Sequence, residues 1–157
     1  MRPHDVPQLM EIAASLPQAP RWAQIAYTNA LDPEIAPQRI ALVAELAEAS
    51  LAGFLITILI PPQAELETIA VARDAQRQGI ATRLLDKLLF ILQKRQITEV
   101  MLEVRESNYA ARYFYASAGF SEMGRRAGYY TDPKEDAILL TRAITAAPDG
   151  LANPEIQ

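Results

Sequence analysis

The chain has 157 residues, half of them apolar and 22% charged, with a formal net charge of −4. That length and balance predict one soluble domain with a substantial core, and the acidic surface gives no sign of nucleic-acid binding while suiting a basic peptide or amine. With no cysteine and His4 as the single histidine, disulfides, thiolate metal sites and thiol nucleophiles are ruled out, a histidine-based triad or metal centre has no support, and no metal is expected.

The N-terminal "MRPHDVPQLM" lacks the apolar run of a signal peptide. The longest apolar stretch, "LAGFLITILI" (51–60), is half the length of a membrane span of about 20 residues. A cytoplasmic protein without membrane attachment is therefore expected. Residues 4–16 predict a helix capped by Asp5, with Pro7 in its first turn and Leu9, Ile12, Ala13 and Leu16 on one face. Residues 20–31 predict a second, short helix. Strand-like runs at 39–46 and 53–60, joined by a short polar link, predict an antiparallel hairpin, and 64–71 a third strand. From Ile80 the apolar period changes from two to near 3.6, which predicts a helix over 80–95. A strand at 98–104 follows, then a helix over 107–118 opened by Ser107 or Asn108 and stopped by Gly119. Residues 124–135 read as a loop rich in tyrosine and charge, ahead of a last strand from about Asp136. The tail 145–157 has little to bury and is expected to be disordered, leaving a single domain over 1–144.

That order is mixed α/β. Strand 64–71, helix 80–95 and strand 98–104 form a β-α-β crossover, so the two strands should run parallel. Three stretches then stand out. In "VARDAQRQGIATRLL" (71–85) a strand gives way to a tight turn at Gly79 and a helix N-terminus, where free N–H groups and the helix dipole can hold an anion beside Arg77. Locally, a plain tight turn serves as well. In "MLEVRESN", alternation sets Val100, Leu102 and Val104 against Met101, Glu103 and Arg105. Glu103 then ends a strand of the crossover, either as a general base or as a carboxylate paired to Arg105 or solvated. In "YFYASAGF", Tyr115 lies on a helix with Tyr109, Tyr113 and Phe114, a stripe equally suited to packing.

Taken in order, "LETIAV", "QRQGIATRLL", "MLEVRESN" and "AARYFYASAGF" resemble the motifs of the GCN5-related N-acetyltransferases (GNAT), and "LEVRESNYAA" with "GRRAGYY…EDAILL" is most similar to their RimI type. The resemblance covers about residues 39–144. It implies a mostly antiparallel sheet, with one splayed parallel strand pair, flanked by helices. It also implies an acetyl-CoA-dependent transferase that modifies the N-terminal alanine of a ribosomal protein. Residue by residue, Ile69, Ala70 and Val71 would meet the acetyl-pantetheine arm. Gln76-x-x-Gly79-x-Ala81 would cradle the pyrophosphate through amides of Arg77, Gln78, Gly79, Ile80, Ala81 and Thr82. Asn108 would contact the cofactor, Glu103 would be the base, Tyr115 the acid, and Tyr129 and Tyr130 would border the acceptor. The departure is "PQAPRWAQIAY", where the type usually carries Pro-Trp-Ser; Trp22 is present in a different setting, which bears on acceptor choice.

A thioester donor is already activated, so absent cysteine and catalytic histidine are consistent with this chemistry. At pH 7 roughly 10% of an α-amine is neutral against about 0.04% of a lysine, which suits a single carboxylate base to an N-terminal acceptor. Glu67 is a rival base on the neighbouring strand. Lysine or small-amine acetylation and a non-catalytic acyl-CoA sensor remain alternatives. Glu135 and Asp136 are expected to meet a basic acceptor tail, and the protein to be a monomer or weak dimer.

Overall fold

The computed structural model describes residues 1–46 and 50–145; residues 47–49, within the expected polar link, and 146–157, in the tail expected to be disordered, lie outside the described residues. Along the chain come α1 (Val6–Ser15), α2 (Gln24–Asn29), β1 (Arg39–Glu45), β2 (Leu51–Ile60), β3 (Gln63–Val71), α3 (Ile80–Lys94), β4 (Glu99–Arg105), α4 (Tyr109–Ser117), β5 (Ser121–Thr131) and β6 (Lys134–Ala143). The strands form one six-stranded sheet in the order β1-β2-β3-β4-β6-β5. Among the described residues only β3 and β4 pair in parallel, as the crossover requires. The mixed α/β class is the expected one.

Burial explains which stretches took which form. β2 is apolar on both faces because helices cover both: Leu55 packs under α3, and Phe54 and Ile56 pack under α1 and α2. β4 buries alternate residues, Val100, Leu102 and Val104, and turns Met101, Glu103 and Arg105 to the other face. The stripe Ile80, Leu84, Leu85, Leu88 and Leu92 seats α3 on the sheet. Tyr115 and Phe120 join that same core from α4 and the segment after it. On the opposite face, α1 and α2 bury Leu9, Ile12, Tyr27 and Ala30 against β2 and Ala70 of β3. Among the described residues that second core draws nothing from β4, β5 or β6, so their half of the face stays open.

One register break organises the middle of the sheet. Thr57 pairs with Leu66 but Ile56 pairs with Thr68, so Glu67 is the extra residue of a β-bulge. Leu66 therefore faces α3 while Ala70, four residues on, faces α1.

Three expectations need correction. Residues 124–131, expected as loop, belong to β5, which starts at Ser121, and β6 starts at Lys134. β5 is an edge strand exposed along most of its length, so it shows no apolar alternation; backbone bonds to β6 define it. The second helix is confined to Gln24–Asn29, because Ala23 is extended and ends it on the N-terminal side. Asp5 does not cap α1 with its side chain; its carboxylate accepts the Arg2 backbone N–H instead.

Candidate active site

β3 and β4 are paired only at Gln63–Glu99, Ala64–Val100 and Glu65–Met101. Beyond that point β3 continues to Val71 on the edge of β2, and β4 continues to Arg105 on the edge of β6. A wedge thus opens between Ile69–Val71 and Glu103–Arg105, with strand edges no longer hydrogen-bonded to each other. Gly53 lets β2 and β3 approach closely here. A Cβ at that position would lie 2.6 Å from the Ala70 carbonyl oxygen.

The turn that follows is shaped for an anion. Arg77 and Gly79 both have positive φ, 59° and 75°. Among the described residues, no protein acceptor is found for the N–H groups of Arg77, Gln78, Gly79, Ile80, Ala81 or Thr82. They gather at the positive end of a 15-residue helix. The glutamines brace this turn: Gln76 Nε2 donates to the Val71 carbonyl at 3.1 Å, and Gln78 Nε2 donates to that of Asp74 at 3.1 Å. Ile80, Leu84 and Leu88 anchor the helix beneath it. Thr82 also borders a cleft of about 540 Å³ between α3 and α4, reaching Asp86, Phe114 and Ser117. Across the wedge Asn108 is the N-cap of α4, its Oδ1 accepting the Ala111 N–H at 3.2 Å, which leaves its NH₂ group available. Of the two capping residues the sequence offered, the structure selects Asn108.

Glu103 projects from the end of β4 onto the open face. Its partner is Arg126 of β5, with Nε 2.8 Å from Oε1, and its side chain is 20% exposed. Arg105 pairs elsewhere: its Nη1 donates to Glu135 at 2.9 Å, and its guanidinium lies 4.1 Å from the centre of the Tyr130 ring. The Tyr129 phenol is raised by the charge of Glu103 and by its hydrogen bond to that carboxylate. Burial first, then the Glu103 charge, raises that of Tyr130. The two rings meet edge to face at 5.2 Å. Tyr115 sits on the helix side of the sheet, 7% exposed, between Phe114 and Phe120, and burial pushes its phenol well above the ordinary value. Of the aromatic stripe, Tyr109 and Tyr113 are exposed and only Tyr115 is buried.

Glu135 and Asp136 are engaged within the protein rather than free for a basic tail. Arg105 and Ser107 occupy Glu135 and hold its carboxyl below the usual range, while Asp136 accepts the Gly128 N–H at 2.8 Å. Glu67 is gripped by Arg39, Nε to Oε2 at 2.8 Å and Nη2 to Oε1 at 3.1 Å. Three participants escaped the sequence: Arg126, Arg39 and Glu65. Glu65 lies beside Glu103 on the open face, and burial, then the charges of Glu103 and Glu67, raise its carboxyl above the usual range. The signal available for it was its place two residues before Glu67 on an alternating strand.

Comparison with known proteins bears on this geometry. The acetyltransferase (GNAT) family profile matches residues 6–120. The chain is 44% identical over 97 residues to the ribosomal protein bS18-alanine N-acetyltransferase of Escherichia coli K12, covering 60% of this chain and 66% of that protein. The crystal structure of the Escherichia coli ribosomal-protein-S18-alanine N-acetyltransferase superposes with a TM-score of 0.82 at 32% identity, over 98% of this chain and 96% of that one. Ard1 from Thermoplasma volcanium gives the same TM-score at 25% identity, over 92% and 95%. With its splayed parallel pair, its amide-lined turn and these matches, the chain belongs to the acetyltransferase (GNAT) family.

Proposed function

We propose that the chain is an acetyl-CoA-dependent N-acetyltransferase that acts on the α-amine of a protein N-terminus, in the manner of the RimI type, with the N-terminal alanine of a ribosomal protein as acceptor. The observation that carries this is the wedge itself. It joins a row of unpaired amides on one side to Glu103 at the open face and Tyr115 at the helix face on the other.

Acetyl-CoA supplies an activated acyl group. The edge of Ile69–Val71 would hold its pantetheine arm, the amides of Arg77–Thr82 its pyrophosphate and Asn108 the chain between them; the α3–α4 cleft that begins at Thr82 offers room for more of it. The amine arrives protonated, and Glu103, directly or through water, takes that proton. Nitrogen attacks the thioester carbonyl, the C–S bond breaks, the sulfur receives the proton of Tyr115, and the second proton shed by the acylated nitrogen returns to the Tyr115 oxygen through water. A phenol raised by burial stays protonated at neutral pH, the state a donor needs. Tyr129 and Tyr130 would border the acceptor, with Tyr129 hydrogen-bonded to Glu103.

The test uses peptides beginning with alanine, alongside N-blocked versions carrying an internal lysine. CoA release with the first set and not the second is expected. Acetylation of lysine alone overturns the N-terminal assignment, and acetyl-CoA binding without transfer to any amine overturns the enzymatic one.

A further inference from the structure

The outer side of the helix layer carries a pattern that acetyl transfer does not use. α3 and α4 pack on one face of the sheet with a cleft between them. Phe90 of α3 and Tyr109 and Tyr113 of α4 stand in water there, 53%, 72% and 78% exposed. Cations gather at the rings. Lys87 and Lys94 place Nζ 5.7 and 5.6 Å from the centre of the Phe90 ring, and the Arg112 guanidinium lies 5.8 Å from that of Tyr109. Tyr113 is one turn from Tyr109 on the same side of α4.

The charge of this layer is unspent. Arg39, Arg105, Arg125 and Arg126 of the strands each meet a carboxylate. Among the described residues, Arg83, Lys87, Lys94 and Arg112 of the two helices form no such pair, and Asp86 is the one acid the helices contain. The layer is therefore basic in a chain of net charge −4. Charges more than about 8 Å away are largely screened at physiological ionic strength, so the local surface governs what docks on it. Overall composition, which predicts no nucleic-acid surface, averages this patch away.

We propose that the α3–α4 layer is a docking surface for single-stranded RNA, with bases stacked on Phe90, Tyr109 and Tyr113 and phosphates met by Lys87, Lys94 and Arg112. Exposed rings on a helix surface cannot enter a paired stack, but they can take an unpaired base on an open face, and unpaired loops and ends are where RNA offers such bases. Lys87 and Lys94 lie seven residues apart, about 10 Å along the helix axis. That is close to three steps of one stacked strand at about 3.4 Å each, so a base on Phe90 has a cation toward the phosphates on either side. An acidic peptide would meet the cations but brings no planar group for each of three rings. The surface goes beyond the transfer reaction and does not rest on it; an acceptor carried on RNA would be held near the enzyme through it.

The experiment follows fluorescence anisotropy of a labelled single-stranded RNA of mixed sequence, about 12 nucleotides long, with the full chain. Binding with a Kd of about 1–100 μM is expected, with log K falling against log salt at a slope of about −2 for three phosphate contacts. Phe90→Ser and Tyr113→Ser should each weaken it about tenfold, and Lys87→Gln with Lys94→Gln should reduce the slope to about −0.7. All four side chains are exposed, so the variants should melt as the wild type does, and the salt slope of the wild type tests the charge contacts without any variant. Absence of binding, or affinity unchanged in the folded aromatic variants, overturns the inference. So does release of the RNA by saturating acetyl-CoA, which would assign it to the turn at Gly79. Tighter binding to poly-glutamate, to phosphatidylglycerol vesicles, to the duplex form or to the DNA counterpart overturns it as well, since each names a different occupant.

Discussion

Replacing Gly53 by alanine should separate the two halves of the proposed cofactor site. The added Cβ would lie 2.6 Å from the Ala70 carbonyl oxygen and 3.2 Å from Val71 Cα and Cγ2. Ordinary contact begins at 3.4 Å, so the backbone of β3 must retreat by about 0.8 Å, and no flexible side-chain tip is available to absorb the shift. Overpacking of this kind costs about 1–3 kcal/mol. Removing a strand glycine gives back about 0.5–1 kcal/mol. The net loss is about 1–2 kcal/mol, or a fall in Tm of about 2–8 °C for a domain of this size. The displacement falls on Ala70 and Val71, the strand edge offered to pantetheine, whereas the turn amides of Arg77–Thr82 hang from α3 and stay where they are. A hydrogen bond stretched by that amount is largely lost, about tenfold in affinity. Calorimetric titration should therefore show acetyl-CoA binding weakened about tenfold, with 3′,5′-ADP, which carries phosphate but no pantetheine, bound as by the wild type. Equal weakening of both ligands, or of neither, would refute the division of labour between β3 and the turn.

Glu103→Gln and Tyr115→Phe should each lower kcat by about 100-fold or more, with acetyl-CoA affinity nearly unchanged; wild-type kcat in both would remove them from the mechanism. Glu65→Gln tests the electrostatics of the open face. Burial and the charges of Glu103 and Glu67 raise the Glu65 carboxyl, so the folded chain holds that proton more tightly than the unfolded one. Stability from this group is present below the unfolded carboxylate value and is lost as pH rises through the higher folded one. The glutamine variant should thus melt above the wild type at pH 7, with the gap closing toward about pH 4; a constant gap would contradict the sign. Leu88→Ala removes a side chain that is 0% exposed beneath α3. It should cost about 3 kcal/mol, or about 6–12 °C in Tm, in a denaturation experiment.

Much of the fold was legible because burial wrote it into the chain. β4 alternates, α3 carries a stripe at helical spacing, and β2 is apolar throughout, each a direct record of what covers it. β5 left no such record. An edge strand with both faces largely in water needs no apolar period, and what makes it a strand is the backbone of β6. The bulge at Glu67 was equally silent. It is a relation between two strands, visible only when Thr57 and Ile56 are matched to their partners. The helix at Gln24–Asn29 was over-extended for a related reason, since composition does not reveal that Ala23 is extended.

The site divides along the same line. Gly79, the helix start and Glu103 stand out by local spacing, and Asn108 and Tyr115 by the family resemblance, but the meaning of each carboxylate depends on distant partners. Glu67 and Glu103 look alike in sequence, as acidic residues near the ends of adjacent strands. Folding sets Arg39, 28 residues away, against Glu67 in a two-bond pair that is largely shielded from water. It sets Arg126 against Glu103 through one contact, and that guanidinium is 57% exposed. Withdrawing Arg39 strands a half-buried charge, a cost of several kcal/mol. The exposed guanidinium of Arg126 returns to water at little cost, and the charge it leaves on Glu103, 20% exposed, is one that an incoming ammonium can meet. An incoming ammonium can therefore replace Arg126 beside Glu103 but cannot replace Arg39 beside Glu67. This difference in exchangeability, rather than any difference between the two glutamates themselves, supports Glu103 over Glu67 for the proposed role of proton acceptor.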